Sequence, residues 1–103
     1  MNETNENIKD KYFERIDIVN ALIDYFNTNE NVKFKVIQAI TLYLFKINYK
    51  GNNISINIYN NRIELWYCST ITHTYNFKDN VIDLDYIKYI IIGFLNRVEY
   101  GIK

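Results

Sequence analysis

The sequence predicts a small domain of the α+β class, in which an antiparallel meander of three strands carries N- and C-terminal helices on one face. Two patterns support this fold: apolar and polar residues alternate over 52–77, and apolar residues recur at helical spacing near both ends of the chain. A length of 103 residues fits one domain spanning 1–103. The predicted element order is α-α-β-β-β-α.

The first predicted element is an amphipathic helix. Its apolar residues recur every three or four positions and form one stripe; they are Ile8, Tyr12, Ile16, Val19, Ile23 and Phe26, with Leu22 beside them. Thr4 is the predicted N-cap, and the short polar residues of 27–29 are the predicted stop. The opposite face is acidic and is called the acidic ridge; it comprises Glu3, Glu6, Asp10, Glu14, Asp17 and Asp24. It is either a solvated surface or, through Asp10, Asp17 and Asp24, a contact for a basic groove on a partner.

The segment 32–46 fits two structures. Val32, Phe34 and Val36 alternate with lysines as in a strand, but the segment is also apolar nearly all round, which is typical of a buried helix. Its length favours the helix, so we predict a helix over 32–46. Its β-branched residues favour strand, and that alternative would extend the sheet to four or five strands.

A β-hairpin follows the predicted turn at 50–53. Its inward positions are Ile54, Ile56, Ile58, Ile63, Leu65 and Tyr67. Asn60 and Asn61 form the predicted turn, because asparagine tolerates the left-handed backbone that two-residue hairpin turns require. The run 63–77 is too long for one ordinary strand. We therefore predict a break at 69–72 and a third strand over 73–77.

The last predicted element is an amphipathic helix that begins after Asp83 as N-cap and ends at Gly101. Its apolar stripe comprises Leu84, Ile87, Ile91, Phe94, Leu95 and Val98. The predicted core includes Ile16, Ile56, Leu65 and Phe94.

Composition and charge limit the function classes. Sixteen Asn, 18 Ile and 10 Tyr indicate a genome rich in AT codons, either that of a low-GC bacterium, of a phage or mobile element living in one, or of an AT-rich eukaryote. The net charge of the chain is zero, but residues 32–62 carry five basic residues (lysine or arginine) and no acidic residue. A single cysteine, no leader-like N-terminus and no apolar run of about 20 residues predict a cytoplasmic protein without membrane contact.

No catalytic or cofactor motif stands out. Three glycines, at widely spaced positions, exclude a glycine-rich phosphate loop. Cys68, His73 and Asp79 are the candidate nucleophile set, but their spacing does not bring a base to the thiol unless the turn between them folds back. We predict a protein that is not an enzyme and that has no cofactor and no metal site.

The outward face of the hairpin is the candidate site for a partner. Tyr59 and Trp66 point away from the predicted core, and Lys50 and Arg62 are expected to flank them. Such residues form either a protein-binding hot spot or a platform for stacking bases. The alternative is that 32–46 covers this face and buries Trp66.

The resulting expectation is a small protein-binding inhibitor or modulator, directed at a host enzyme or defence complex. The first alternative is a nucleic-acid-binding module. It would use the basic residues of 32–62, among them Lys33 and Lys35, together with the aromatic sheet face. The second is an accessory subunit that buries its aromatic face in a homodimer.

Overall fold

A five-stranded antiparallel sheet and two helices make up the computed structural model, which describes residues 13–99. The elements are α1 (Arg15–Asn27), β1 (Val32–Gln38), β2 (Leu42–Tyr49), β3 (Asn52–Tyr59), β4 (Arg62–Tyr67), β5 (Thr70–Asn76), a short 3-10 turn (Lys78–Asn80) and α2 (Leu84–Glu99). The strands follow one another across the sheet in chain order. The predicted α+β class is confirmed, while the order within residues 13–99 is α-β-β-β-β-β-α.

The core lies between the helices and one face of the sheet, here called the inner face. Strand residues alternate, so every second side chain joins this core. The most deeply buried side chains are Ile18, Leu22, Phe26, Phe45, Ile56, Ile58, Leu65, Ile87, Ile91, Phe94 and Leu95. The predicted inward face of the hairpin is confirmed, as is the burial of Ile56, Leu65 and Phe94.

The predicted helix over 32–46 is wrong, because this segment forms β1 and the first part of β2. Phe34 pairs with Ile47 and Val36 with Phe45, and all four side chains contribute to the core or pack against it. The backbone N–H of Ala39 donates to the carbonyl of Leu42 (2.9 Å) and closes the turn between the strands. The segment is apolar on both sides because it also supplies apolar residues to the opposite face of the sheet.

Helix α1 begins at Arg15 with Glu14 as its N-cap, whereas the predicted cap, Thr4, lies outside the described residues. The backbone N–H of Glu14 donates to Asp17 Oδ2 (2.7 Å) as one half of a capping box. The buried stripe is Ile18, Val19, Leu22 and Phe26. The predicted burial of Ile16 is wrong, since 40% of this residue is exposed. The predicted apolar positions Ile8 and Tyr12 lie outside the described residues.

Residues with a left-handed backbone (positive φ) occur at turns other than the one predicted at Asn60 and Asn61. In the two-residue turn between β2 and β3, Lys50 and Gly51 have φ angles of 51° and 84°, which suits a type I′ hairpin turn. The turn at Asn60 and Asn61 lies where it was predicted, but neither residue has a positive φ. The next turn falls at 68–69, so β5 begins at Thr70 rather than at 73.

Helix α2 has the predicted cap, because the backbone N–H of Tyr86 donates to Asp83 Oδ1 (3.1 Å). The helix is described as far as Glu99, and the predicted stop at Gly101 lies outside the described residues. Within residues 13–99, neither helix combines the length and the apolarity needed to cross a membrane.

Candidate partner-binding face

The side of the sheet that points away from the helices is called the outer face. It carries Lys33, Lys35 and Ile37 from β1, Leu44, Lys46 and Asn48 from β2, Asn53, Ser55, Asn57 and Tyr59 from β3, and Arg62, Glu64 and Trp66 from β4. The expectation that 32–46 covers this face is wrong, because that segment forms strands of the same sheet. Neither α1 nor α2 packs on the outer face, since both helices contribute to the core on the inner face.

Four outer-face residues form a connected group, here called the Trp66 cluster: Tyr59 at the end of β3, and Arg62, Glu64 and Trp66 along the length of β4. Glu64 is only 8% exposed, and its carboxylate accepts hydrogen bonds from Arg62 Nε (3.0 Å) and Trp66 Nε1 (3.2 Å). The Arg62 guanidinium lies 4.0 Å from the centroid of the Tyr59 ring, close enough for a cation–π contact. The predicted grouping of Tyr59, Arg62 and Trp66 is therefore present, held by a carboxylate between them.

Asn57 lies beside the Trp66 cluster and has an unmet hydrogen-bonding capacity. It pairs with Glu64 across the strands, and its Nδ2 donates to the Tyr59 hydroxyl (3.4 Å). Its Oδ1 is buried and has no hydrogen-bond partner among the described residues. A buried acceptor without a donor costs free energy, so Asn57 lowers the stability of the fold at this position.

Three lysines lie on the outer face of β1 and β2 and are called the lysine field: Lys33, Lys35 and Lys46. Lys35 stands directly opposite Lys46 in the register of the two strands. None of the three forms an ion pair with a carboxylate of residues 13–99. They line an open concavity of about 610 Å³ whose polar lining also includes Asn48, Asn53 and Ser55. Like charges directly opposite one another destabilise a sheet, so the pairing of Lys35 with Lys46 does not stabilise the fold.

We expect Lys35→Glu to stabilise the isolated protein by about 0.2–1 kcal/mol, because it replaces a like-charge pair with Lys46 by an opposite-charge pair. Urea unfolding of both proteins measures the difference. Lys33→Glu is the matched control, since residue 33 faces the neutral Asn48. Equal effects of the two substitutions would show that the pair with Lys46 is not responsible.

Lys50 does not flank the aromatic residues, so that prediction is wrong. It lies in the turn between β2 and β3, whereas Tyr59 and Arg62 lie at the other end of β3, roughly 23 Å away along an eight-residue strand. Lys50 forms an ion pair with Glu99 of α2, and the Tyr49 hydroxyl also donates to Glu99 (3.4 Å). The hydrogen bond from Lys50 holds the pKa of Glu99 below its ordinary value. Burial, with a further contribution from the Glu99 carboxylate, raises the pKa of Tyr49.

The Lys50–Glu99 contact predicts a pH effect on stability. Because the pKa of Glu99 is lowered in the folded protein, its contribution is fully present above the pKa of an unfolded glutamate and is lost as pH falls through the folded pKa. Lys50→Met should therefore lower stability at neutral pH and reduce the loss on acidification. Urea unfolding between neutral pH and about pH 3 measures this, with Lys78→Met as control. Parallel pH profiles for wild type and Lys50→Met would contradict it.

The described part of the acidic ridge, Glu14, Asp17 and Asp24, is separate from the outer face. Asp17 is half-buried and is engaged in the capping box, while Asp24 is exposed on the same helix. Because α1 packs on the inner face, neither residue joins the Trp66 cluster or the lysine field. Asp10 lies outside the described residues.

The candidate nucleophile set is not assembled. Cys68 is exposed in the turn before β5, His73 pairs with Leu65 within the strand, and Asp79 follows the far end of that strand. The partner of His73, Leu65, lies three residues before Cys68 in the chain. His73 and Cys68 are therefore separated by roughly 10 Å along the sheet.

Comparisons with protein-family models, with curated proteins and with solved structures find no match to this chain. Sequence reasoning missed the role of Glu64 and the joint placement of the lysine field. The available signal for Glu64 was its i, i+2 spacing from both Arg62 and Trp66, which places all three on one face of a strand.

Proposed function

We propose that this protein is a non-catalytic binding protein that acts as an inhibitor or modulator of another protein, which it contacts through the outer face of its sheet. The observation that supports this most strongly is the Trp66 cluster. Tryptophan, tyrosine and arginine dominate the energetics of protein interfaces, and here all three lie on a sheet face that neither helix covers.

The hydrogen bonds of the cluster favour binding. Glu64 accepts from both Arg62 and Trp66, so both side chains are oriented before a partner arrives. Ordering a flexible side chain at an interface costs about 0.5–1.5 kcal/mol, and preorganisation reduces that cost. Arg62, Glu64 and Trp66 also lie on one strand, β4, which fixes the spacing of their backbones.

The same contacts favour a protein over a nucleic acid. A platform for single-stranded nucleic acid needs aromatic ring faces that are free to stack on bases. Arg62 already lies over the Tyr59 ring, and the Glu64 carboxylate beneath the cluster repels phosphates. The lysine field could still attract phosphates, so nucleic acid is kept as an outcome of the experiment.

The amino-acid composition bears on the kind of genome that encodes the protein and on the compartment in which it acts. The AT-rich codon bias of the residues fits a phage or mobile element, for which a host enzyme or defence complex is the expected target. The exposed, unpaired thiol of Cys68 fits a reducing cytoplasm.

The test is capture from host-cell lysate on immobilised protein, with and without nuclease, using matched variants. Tyr59→Ala/Arg62→Ala should lose the captured protein, whereas Tyr89→Ala/Arg97→Ala, which removes the same residue types from α2, should keep it. Purified captured protein should then bind directly to wild type. Capture that disappears on nuclease treatment, or that both double variants retain, would overturn the proposal.

A further inference from the structure

The β1 strand has a free edge within the described part of the chain. It pairs with β2 over its full length, from Val32 to Gln38, without a register shift, and no described strand lies on its other side. The opposite edge strand, β5, is less regular, because its pairing with β4 shifts between Leu65 and Trp66. An edge strand presents unpaired backbone donors and acceptors, and a regular edge is the better template for another strand.

The side chains of β1 determine what such a strand would meet. Lys33 and Lys35 are exposed on the outer face, while Phe34 and Val36 are half-buried on the inner face. Side chains of an added strand would lie about 5 Å from these residues on each face. Its outer positions would face lysines, and its inner positions would face partly exposed apolar side chains.

The lysine field selects the charge of the added strand. Lys33 and Lys35 have Asn48 and Lys46 as neighbours on β2, so β2 offers them no negative charge. Two copies of β1 that pair antiparallel over their full length place Lys35 opposite Lys35, which is repulsive. A second copy of this chain is therefore disfavoured, whereas carboxylates opposite Lys33 and Lys35 are attracted.

We infer that β1 binds an extended segment of the partner protein by strand addition, and that acidic residues alternate with apolar residues in this segment. Acidic side chains face Lys33 and Lys35, and apolar side chains extend the core beside Phe34 and Val36. This inference rests on the proposed function. Trp66 lies three strands away, roughly 14 Å across the sheet, so one partner can reach both the cluster and the edge.

The experiment uses NMR titration of the full chain with a capped peptide of alternating glutamate and valine. We expect shifts concentrated on β1 and new protection of β1 backbone amides from hydrogen exchange. A scrambled peptide of the same composition should bind at least about five-fold more weakly, because its acidic residues no longer share one face. Methylation of the central backbone nitrogens of the alternating peptide should also abolish binding.

A charge exchange makes the test specific. Lys33→Glu/Lys35→Glu should reject the glutamate–valine peptide and accept a lysine–valine peptide, with each affinity changing at least about ten-fold. The matched control is Lys88→Glu/Arg97→Glu, which makes the same charge change on α2 and should keep the wild-type preference. Both substituted lysines are exposed, so the double variant should retain the fold.

Three outcomes would overturn the inference. The first is an unchanged peptide preference after the charge exchange, and the second is an oligothymidylate of equal charge that binds at least as tightly as the peptide. The third is protection of the β1 amides in the absence of peptide, together with self-association of the protein in sedimentation. Absence of peptide binding at about 50 mM salt would also overturn it. If capture of a protein in the lysate experiment still depends on Tyr59 and Arg62, only the strand-addition inference fails and the proposed function stands.

Discussion

Leu65→Ala is expected to lower the free energy of unfolding by about 2–5 kcal/mol, a large part of the stability of a domain of this size. Leu65 is 1% exposed at the centre of the inner face and pairs with the fully buried Ile56. The substitution removes apolar contacts and leaves a cavity that neighbouring strands cannot close. Urea unfolding measures the change.

Ile16→Ala provides the control for Leu65→Ala. Ile16 has the same number of carbon atoms in its side chain but is 40% exposed on α1. Its truncation should therefore cost clearly less than that of Leu65. A loss under about 0.5 kcal/mol at Leu65 would contradict the assignment of the inner face.

Trp66→Ala is expected to weaken binding of the captured partner by about 2 kcal/mol or more, roughly thirty-fold in Kd. The substitution removes the largest side chain of the cluster and also frees Glu64 from one of its two donors. Isothermal titration calorimetry with the purified partner measures the change.

Tyr89→Ala is the matched control for Trp66→Ala, because Tyr89 is 73% exposed and lies on α2. Its removal should leave the affinity unchanged within about two-fold. Comparable losses of affinity from Tyr89→Ala and Trp66→Ala would contradict the assignment of the contact to the outer face of the sheet.

The hairpin could be predicted from sequence because one of its faces is uniformly apolar and the other mostly polar. The segment 32–46 could not, because it supplies apolar residues to both faces of the sheet, including Ile37 and Leu44 on the outer face. Its turn also lacks glycine, asparagine and proline, and Ile40 is 100% exposed there. A β-branched residue at a turn gives none of the usual turn signals.

The candidate site was only partly predictable. Strand periodicity placed Tyr59 and Trp66 on one face, since that requires only the alternation of side chains. The lysine field depends on the register between β1 and β2, which the predicted helix concealed. The prediction placed Lys50 beside Tyr59 because both are close to the hairpin in sequence. Lys50 precedes the eight-residue strand β3, however, whereas Tyr59 lies at the far end of that strand.

The order of the strands has a consequence for how the chain folds. Each strand pairs only with its neighbours in sequence, so every ladder closes a short loop and the contact order of the sheet is low. Packing of α1 against α2 instead joins segments separated by the entire sheet. The hairpins are expected to form early and docking of the two helices late, so that core substitutions on α2, such as Phe94→Ala, should mainly accelerate unfolding, while those on β3 and β4 should slow folding.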